Sequence, residues 1–445
     1  MSLNNNGSAF FNDKGLNITP TTSVDCFNSN NDRNFTFGNH SSNFNATGYN
    51  SDSGYGLVNA GAAVGKAIGQ EPLSDVPDLG GNNWGADMVK APASWANGYT
   101  GQGVVVAVLD TGVDYNHQDL KNNIWTNSKE IGGNGIDDDG DGYVDDVYGW
   151  NFADNDNNTI DTYGHGTHVA GTIAGENNNF GVTGIAYDAK IMPVKVLGND
   201  GSGSYSAIAQ GIRYAVDRGA NVINLSLGGD YPNSTLESAI EYADSKNVTV
   251  VMAAGNNGDP APAYPARYAN KHGIAVGAVD KNKNMASYSD RAGSEPLSYV
   301  TAPGSSIYST VPGDKYATYS GTSMASPHVA GVVGLMLSAN PNLTSAQIRQ
   351  MITETAGNSL QTNSTSSYTN EIYRDSNFSV SYPTQSNSPQ YQNNTTEIEP
   401  ELLQVTPQYQ LERPLNYSPS STVGNDEMLL NSELWSEFNS DYVNF

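Results

Sequence analysis

The chain has 445 residues, enough for one large α/β domain with extensions or for two or three smaller domains. Forty-six acidic residues against twenty lysines and arginines give a net charge of −26, which excludes nucleic acid as a natural partner, because phosphate binding runs on Lys and Arg. The single cysteine, Cys26, rules out an intrachain disulfide. No apolar run reaches the ~18 residues of a spanning helix, so no membrane partner is expected.

In chain order, residues 1–52 are rich in Asn, Ser, Thr and Gly without a sustained period of 2 or 3.6, and read as a disordered extension. Their start, MSLNNNGSAFFNDKG, lacks the basic region and apolar run of a secretory leader. A cytoplasmic protein is therefore expected, with export by a non-classical route as the alternative. Residues 53–83 form an N-terminal element and linker, in which SGYGLVNAGAAVGKAI reads as a Gly-bounded strand and a small Ala-rich helix.

Residues 84–357 hold the organised domain. Nearly continuous apolar runs at 104–110, 190–197, 221–227, 248–254 and 273–279 predict strands buried on both faces. Helical patterns fall at about 165–175, 204–218, 234–246, 323–338 and 344–355. The alternation predicts an α/β fold with a doubly covered, mainly parallel β-sheet. A polar, turn-rich stretch follows, so residues 358–445 read as a low-complexity, largely disordered tail with a short acidic amphipathic run near 426–440.

Four segments carry chemistry. Asp110 ends an aliphatic strand in VAVLDTGVD, and functional groups in open α/β sheets collect at the carboxyl ends of strands. A turn-forming Asp before Thr-Gly is the bland alternative. His165 and His168 in GHGTHVAG share a helix face, and spacing alone does not choose between them as a base. The His-Glu-x-x-His pattern of zinc proteases is absent. Ser323 in SGTSMASPHVAG stands at the start of a buried helix, with Pro327 expected in the first turn, where its missing donor is tolerated. A helix start offers unpaired N–H groups and partial positive charge to a nucleophile, although a plain N-cap serine reads the same way. Asn256 in MAAGNNG follows another buried strand and offers a side-chain amide.

A serine hydroxyl needs an imidazole to take its proton and a carboxylate to orient that imidazole. The order Asp, His, Asn, Ser and the flanking sequences closely resemble the subtilisin-like serine proteases, over roughly residues 84–356. That resemblance implies the roles: Asp110 orients, His165 is the base, Ser323 attacks, and Asn256 with the Ser323 N–H holds the oxyanion. His168 is left as a packed core residue. The resemblance further implies a calcium-dependent endopeptidase acting on polypeptide substrates. Alternatives are a catalytically silent binding protein on the same fold and a non-proteolytic acyl hydrolase.

By the same resemblance, Gly201, Ser202 and Gly203 and Ser226, Leu227 and Gly228 are the two edges that bind a peptide as an added strand. Ala253, Ala254 and Gly255 match a wall of the primary specificity pocket, and Ala263 its floor. No carboxylate falls at these positions, so apolar or aromatic residues are expected at the cleavage position, with Asp259 and Glu295 the nearby acids that would change this.

The segment GIDDDGDGYVDD places Asp137, Asp139 and Asp141 at alternate positions, then Gly142 and Asp145 and Asp146. That is the start of an EF-hand-like Ca²⁺ loop, within an insertion at about 121–160, but the twelfth position is Tyr148 where a bidentate Glu belongs. A second Ca²⁺ site is implied by the family resemblance of GENNNFGV: Asp119 and Asn178 as side-chain ligands, carbonyls of Glu176, Phe180 and Val182, and a further charge from Glu176. The family's C-terminal Gly-x-Gly-Leu-hydrophobic-Asn motif is missing after residue 356, whereas GYGLVNAGAAV occurs at 54–64. The N-terminal element is therefore expected to dock as a permuted strand–helix unit.

Overall fold

The computed structural model describes residues 48–357 and the backbone of residues 442 and 443. In chain order the elements are α1 (Ala60–Ala67), α2 (Trp84–Met88), α3 (Ala91–Trp95), β1 (Val105–Asp110), β2 (Trp150–Asn151), α4 (His165–Ala174), β3 (Lys190–Lys195), β4 (Gly203–Ser204), α5 (Tyr205–Asp217), β5 (Val222–Leu225), α6 (Ser234–Ser245), β6 (Thr249–Ala253), β7 (Ile274–Val279), β8 (Tyr299–Pro303), β9 (Ile307–Val311), β10 (Lys315–Tyr319), α7 (Thr322–Ala339), α8 (Ser345–Thr355) and β11 (Tyr442–Val443). The readings made for residues 1–47 and for the tail from residue 358 on, including its acidic run near 426–440, lie outside the described residues, residues 442 and 443 excepted.

Seven strands form one sheet in the order β2-β3-β1-β5-β6-β7-β8, and every pairing in it is parallel. Side chains on β1 alternate faces, as the pleat requires. Val106 and Val108 join a core shared with α1, α4, α7 and α8. Ala107 and Leu109 join the opposite core, shared with α5 and α6. Both faces of the sheet are thus covered, which is why its strands read as unbroken apolar runs.

From β1 the chain runs to β2 and β3 on one side and afterwards to β5 on the other, so β1 is the switch point of the sheet. The crevice at the carboxyl end of such a strand is the usual ligand site of an open α/β sheet. β1 ends on Asp110.

Of the longer strands, β8, β9 and β10 have no counterpart among the predicted runs. β8 extends the sheet, and β9 and β10 form an antiparallel hairpin. IYSTV and KYATY mix polar with apolar residues, because this hairpin is exposed along one side. At the far edge of the sheet, Val58 N–H donates to Thr301 O at 3.0 Å and Thr301 N–H to Gly56 O at 2.9 Å. α1 follows directly, with Asn59 as its N-cap, and buries Ala63 and Val64 in the core beside α7 and α8. Gly357 N–H donates to Leu57 O at 2.9 Å, closing the end of the domain onto the same segment.

Candidate active site

The site assembles at neighbouring strand ends. His165 is the first residue of α4, and its Nδ1 lies 2.7 Å from Asp110 Oδ1. A carboxylate accepts, so Nδ1 carries the hydrogen, and in the neutral ring Nε2 is left as the base. The same Oδ1 accepts from Thr111 N–H at 2.8 Å. Asp110 is fully buried and His165 is 8% exposed, so the pair is shielded while the ring still meets solvent.

Asp161 braces this pair, and sequence reasoning missed it. It is 2% exposed. Its Oδ1 accepts from Thr111 Oγ1 at 3.0 Å, Tyr163 N–H at 2.9 Å and Gly164 N–H at 2.8 Å. Its Oδ2 accepts from Thr167 N–H at 2.9 Å and Thr167 Oγ1 at 2.6 Å. Thr111 Oγ1 in turn accepts from Gly166 N–H at 3.0 Å. One buried carboxylate therefore ties the end of β1 to the first turn of α4, fixing Asp110 against His165. The only sequence signal was an acid just ahead of a helix start, which is common enough to pass unnoticed. Lys195 lies alongside, its Nζ donating to Thr111 O at 2.5 Å; burial lowers its proton affinity, opposed by Asp161, Asp154 and Asp110.

Ser323 is the second residue of α7, one residue later in the helix than predicted, because the helix starts at Thr322. Pro327 is the sixth residue of α7, inside the helix and beyond its first turn, which corrects the expectation. Lacking an N–H, Pro327 cannot bond the carbonyl of Ser323, its i−4 residue. Ser226 Oγ takes that carbonyl instead, at 2.8 Å, and Ser323 Oγ donates to Ser226 O at 3.2 Å. Ser226 directly follows β5, the neighbour of β1, so the hydroxyl is set beside the strand that bears Asp110. α4 and α7 pack against each other beneath them.

Asn256 Oδ1 accepts from Thr322 N–H at 2.8 Å and Thr322 Oγ1 at 3.0 Å. That anchorage leaves the Nδ2 hydrogens for another acceptor. The Ser323 N–H, in the first turn of α7, is one of the amides without a carbonyl partner inside the helix. Asp290 holds the Asn256 loop from behind, its Oδ1 accepting from Asn257 N–H and Asp259 N–H, each at 2.9 Å. Gly255 has φ +117°, and a Cβ there would lie 2.0 Å from Asp290 Oδ2, so glycine is needed.

His168, the other histidine of the helix, is fully buried and donates from Nε2 to Ile307 O at 3.0 Å and Ala317 O at 3.2 Å. Burial holds its pKa down at about 4. It stacks on Tyr319 and pins the β9–β10 hairpin to α4, which is a packing role.

The residues expected to bind peptide converge on the same edge. Gly198 N–H donates to Ser202 O at 2.8 Å, folding Gly201, Ser202 and Gly203 back beside the end of β3. Ser226, Leu227 and Gly228 leave the end of β5, and Tyr205 at the start of α5 reaches the Tyr231 carbonyl at 3.0 Å. Ala253 ends β6, and Ala263 N–H donates to Ala254 O at 2.7 Å. A Cβ on Gly255 would lie 3.1 Å from Ala263 Cβ, so the expected wall and floor do meet, and one on Gly228 would lie 3.8 Å from it, so the second edge borders them. Asp259 and Glu295 are exposed, and the buried acid at this wall is Asp290.

The acidic loop divides. Ligand atoms of Glu130, Asp137 and Asp139 lie within 4.8 Å of one another. Glu130, outside the sequence motif, was not foreseen. Arg218 Nη1 bridges Asp139 Oδ2 at 2.9 Å and Asp141 Oδ2 at 2.5 Å, so one member of the group is already ion-paired through one of its oxygens. Asp145 accepts from Asn134 N–H and Gly135 N–H, at 3.1 and 3.0 Å. Asp146 is fully buried against Asn127 and Tyr214, at 2.7 and 2.6 Å. Asp141, Asp145 and Asp146 stand outside the convergent group. Burial, with Asp146 and Asp139 nearby, pushes Asp141 up to about 6, against the pull of Arg218. Asp139 Oδ1 is buried without a hydrogen-bond partner, the state of an oxygen that suits a cation.

At the second expected site, Asp119 is fully buried, with Oδ1 accepting from Asn178 Nδ2 and Oδ2 from Val182 N–H, both at 2.9 Å. Phe180 N–H donates to Asn178 Oδ1 at 3.2 Å. Glu176 turns its carboxylate to Asn122, away from Asp119, accepting at 2.9 Å on each oxygen.

Comparison with known proteins places this geometry. Residues 101–388 match the Subtilase family. The chain is 47% identical to M-protease of Shouchella clausii over 274 residues, which is 61% of this chain and 64% of that protein's length. It is 46% identical to Subtilisin Savinase of Lederbergia lenta over 274 residues, covering 61% of this chain and 90% of that one. Thermitase of Thermoactinomyces vulgaris is 43% identical over 281 residues, covering 63% and 90%. With the aspartate–histidine pair, the helix-borne serine and the anchored asparagine all inside the matched span, the chain belongs to the subtilase family.

Proposed function

We propose that the protein is a serine endopeptidase that cuts polypeptides through an acyl-enzyme. The observation that carries this reading is the buried 2.7 Å contact between Asp110 and His165, set one strand away from Ser323. In the reaction, Ser323 Oγ attacks the peptide carbonyl carbon while His165 Nε2 takes its proton. Asp110 keeps the ring in the tautomer that permits this and stabilises the imidazolium that forms. The carbonyl oxygen becomes an oxyanion held by Asn256 Nδ2 and the Ser323 N–H. His165 then protonates the leaving amine, and water releases the acyl group by the reverse steps.

Calcium dependence is part of the proposal. Glu130, Asp137 and Asp139 would hold a Ca²⁺ ion, a hard cation that takes carboxylate oxygens, and Asp119 with Asn178 and the carbonyls of Glu176, Phe180 and Val182 would hold another. Support comes from the partnerless Asp139 Oδ1 and from the crowding of carboxylates around it. Apolar or aromatic residues at the cleavage position are favoured by the small apolar residues Ala253, Ala254 and Ala263 at the pocket wall. The test is casein digestion by wild type and Ser323→Ala, each with and without EGTA. Wild type in calcium should digest casein and EGTA should slow it. Equal activity in Ser323→Ala would overturn the catalytic reading, and indifference to EGTA the calcium reading.

A further inference from the structure

β4 carries an occupant from the chain's own tail. Tyr442 pairs with Ser204 and Val443 with Gly203 in an antiparallel ladder. Among the described residues, β11 is the only strand that β4 pairs with. The inner side of β4 is closed: a Cβ on Gly203 would lie 2.3 Å from Val196 O, so the glycine lets β4 lie flush on the end of β3. Its other edge is the one that β11 takes, as a strand edge is a template for another strand.

That edge belongs to the proposed peptide site. Val196 N–H and Leu197 N–H both donate to the carbonyl of Asp110, at 3.0 and 3.1 Å, so the segment leading into β4 leaves from the triad aspartate itself. Gly203 is one of the residues expected to bind substrate backbone. A chain seated there uses the hydrogen-bonding groups that an extended substrate would need. The local sequence, SDYVNF at 440–445, is rich in aromatic and β-branched residues, which favour strand pairing and match the apolar class of substrate proposed above.

We propose that the segment around Tyr442–Val443 is a built-in, reversible occupant of the substrate edge, competing with incoming peptides in the same molecule. This rests on the endopeptidase reading of that site. The tail is held on β4 by backbone pairing and is displaced by a substrate that binds the same edge more tightly. A tethered competitor acts at an effective concentration of the order of millimolar, so even a weak segment raises the apparent KM about two- to tenfold without changing kcat.

Proline offers a local probe. It lacks an N–H, and in an antiparallel ladder alternate residues face the partner, so Tyr442→Pro and Val443→Pro are both needed to be sure of striking a paired position. The full chain, the two proline variants and a chain ending at residue 435 are compared on an extended tetrapeptide anilide. In parallel, Ser323→Ala versions of each are titrated with a fluorescent tetrapeptide, which reads binding without turnover. At least one proline variant and the shortened chain should show KM and Kd lowered two- to tenfold, with kcat unchanged. Unchanged KM and Kd in all of them would overturn the proposal. So would a KM that rises with enzyme concentration, since that assigns the occupant to a second copy. If no chain hydrolyses the anilide yet Kd falls as expected, the docking stands and the endopeptidase reading fails.

Discussion

Acidification should destabilise this protein through two histidines that resist protonation where they sit. His168 is fully buried and His328 is 3% exposed. His328 donates from Nδ1 to Met324 O at 2.8 Å inside α7. Burial lowers each from 6.5 to about 4. A depressed value means that the unfolded chain takes the proton first. The stabilisation is complete above pH 6.5 and is lost as the pH falls from there to about 4. At about 1.4 kcal/mol per unit, each histidine costs about 3 kcal/mol over that window. Burial raises the pKa values of Asp119, Asp146 and Asp290, and raised carboxylates act with the opposite sign, gaining stability as pH falls. The comparison is therefore between wild type and the pair His168→Gln and His328→Asn, which keep donors at Nε2-like and Nδ1-like positions. Urea unfolding from pH 7 to pH 4, with Ser323→Ala in every chain to prevent self-digestion, gives the difference. Wild type should lose about 3 to 6 kcal/mol more than the double variant over this range. Parallel curves would refute the assignment of acid sensitivity to these rings.

Asn256→Ala should lower kcat on a peptide anilide by roughly 10²–10³ while leaving KM nearly unchanged, since the amide acts on the oxyanion. Thr111→Val strands the buried Gly166 N–H, so it should cost about 1–3 kcal/mol of stability, read as a fall of several degrees in Tm. Glu130→Gln should shrink the Tm increase produced by added calcium, measured by differential scanning fluorimetry at fixed pH. An unaltered calcium response would remove Glu130 from the proposed ligand set.

The sheet was legible because strands covered on both faces leave apolar runs that need no periodicity to be seen, as VVVAVLD does. β9 and β10 were not, since a hairpin exposed along one side mixes polar and apolar residues. Within the site, residues whose side chains do chemistry sat in recognisable segments. Those that act by bracing did not: Asp161 and Asp290 each hold backbone N–H groups brought to them by folding, and nothing local announces that. Pro327 shows the limit in another way. It stands inside α7, and the carbonyl it leaves without an N–H partner, that of Ser323, meets Ser226 only in the folded molecule. Glu130 lies outside the acidic motif, so only the folded loop brings it to Asp137 and Asp139.

The bond between Gly357 and Leu57 joins segments about 300 residues apart, and Thr301 reaches back nearly as far. Closing so long a stretch of chain is entropically costly and slow. During synthesis, the pocket that α1 fills does not exist until α7 and α8 have left the ribosome. The emerging polypeptide therefore holds the aspartate and the histidine long before the serine helix can be clamped. The proposed catalytic site, on this architecture, is complete only once translation has passed the end of α8.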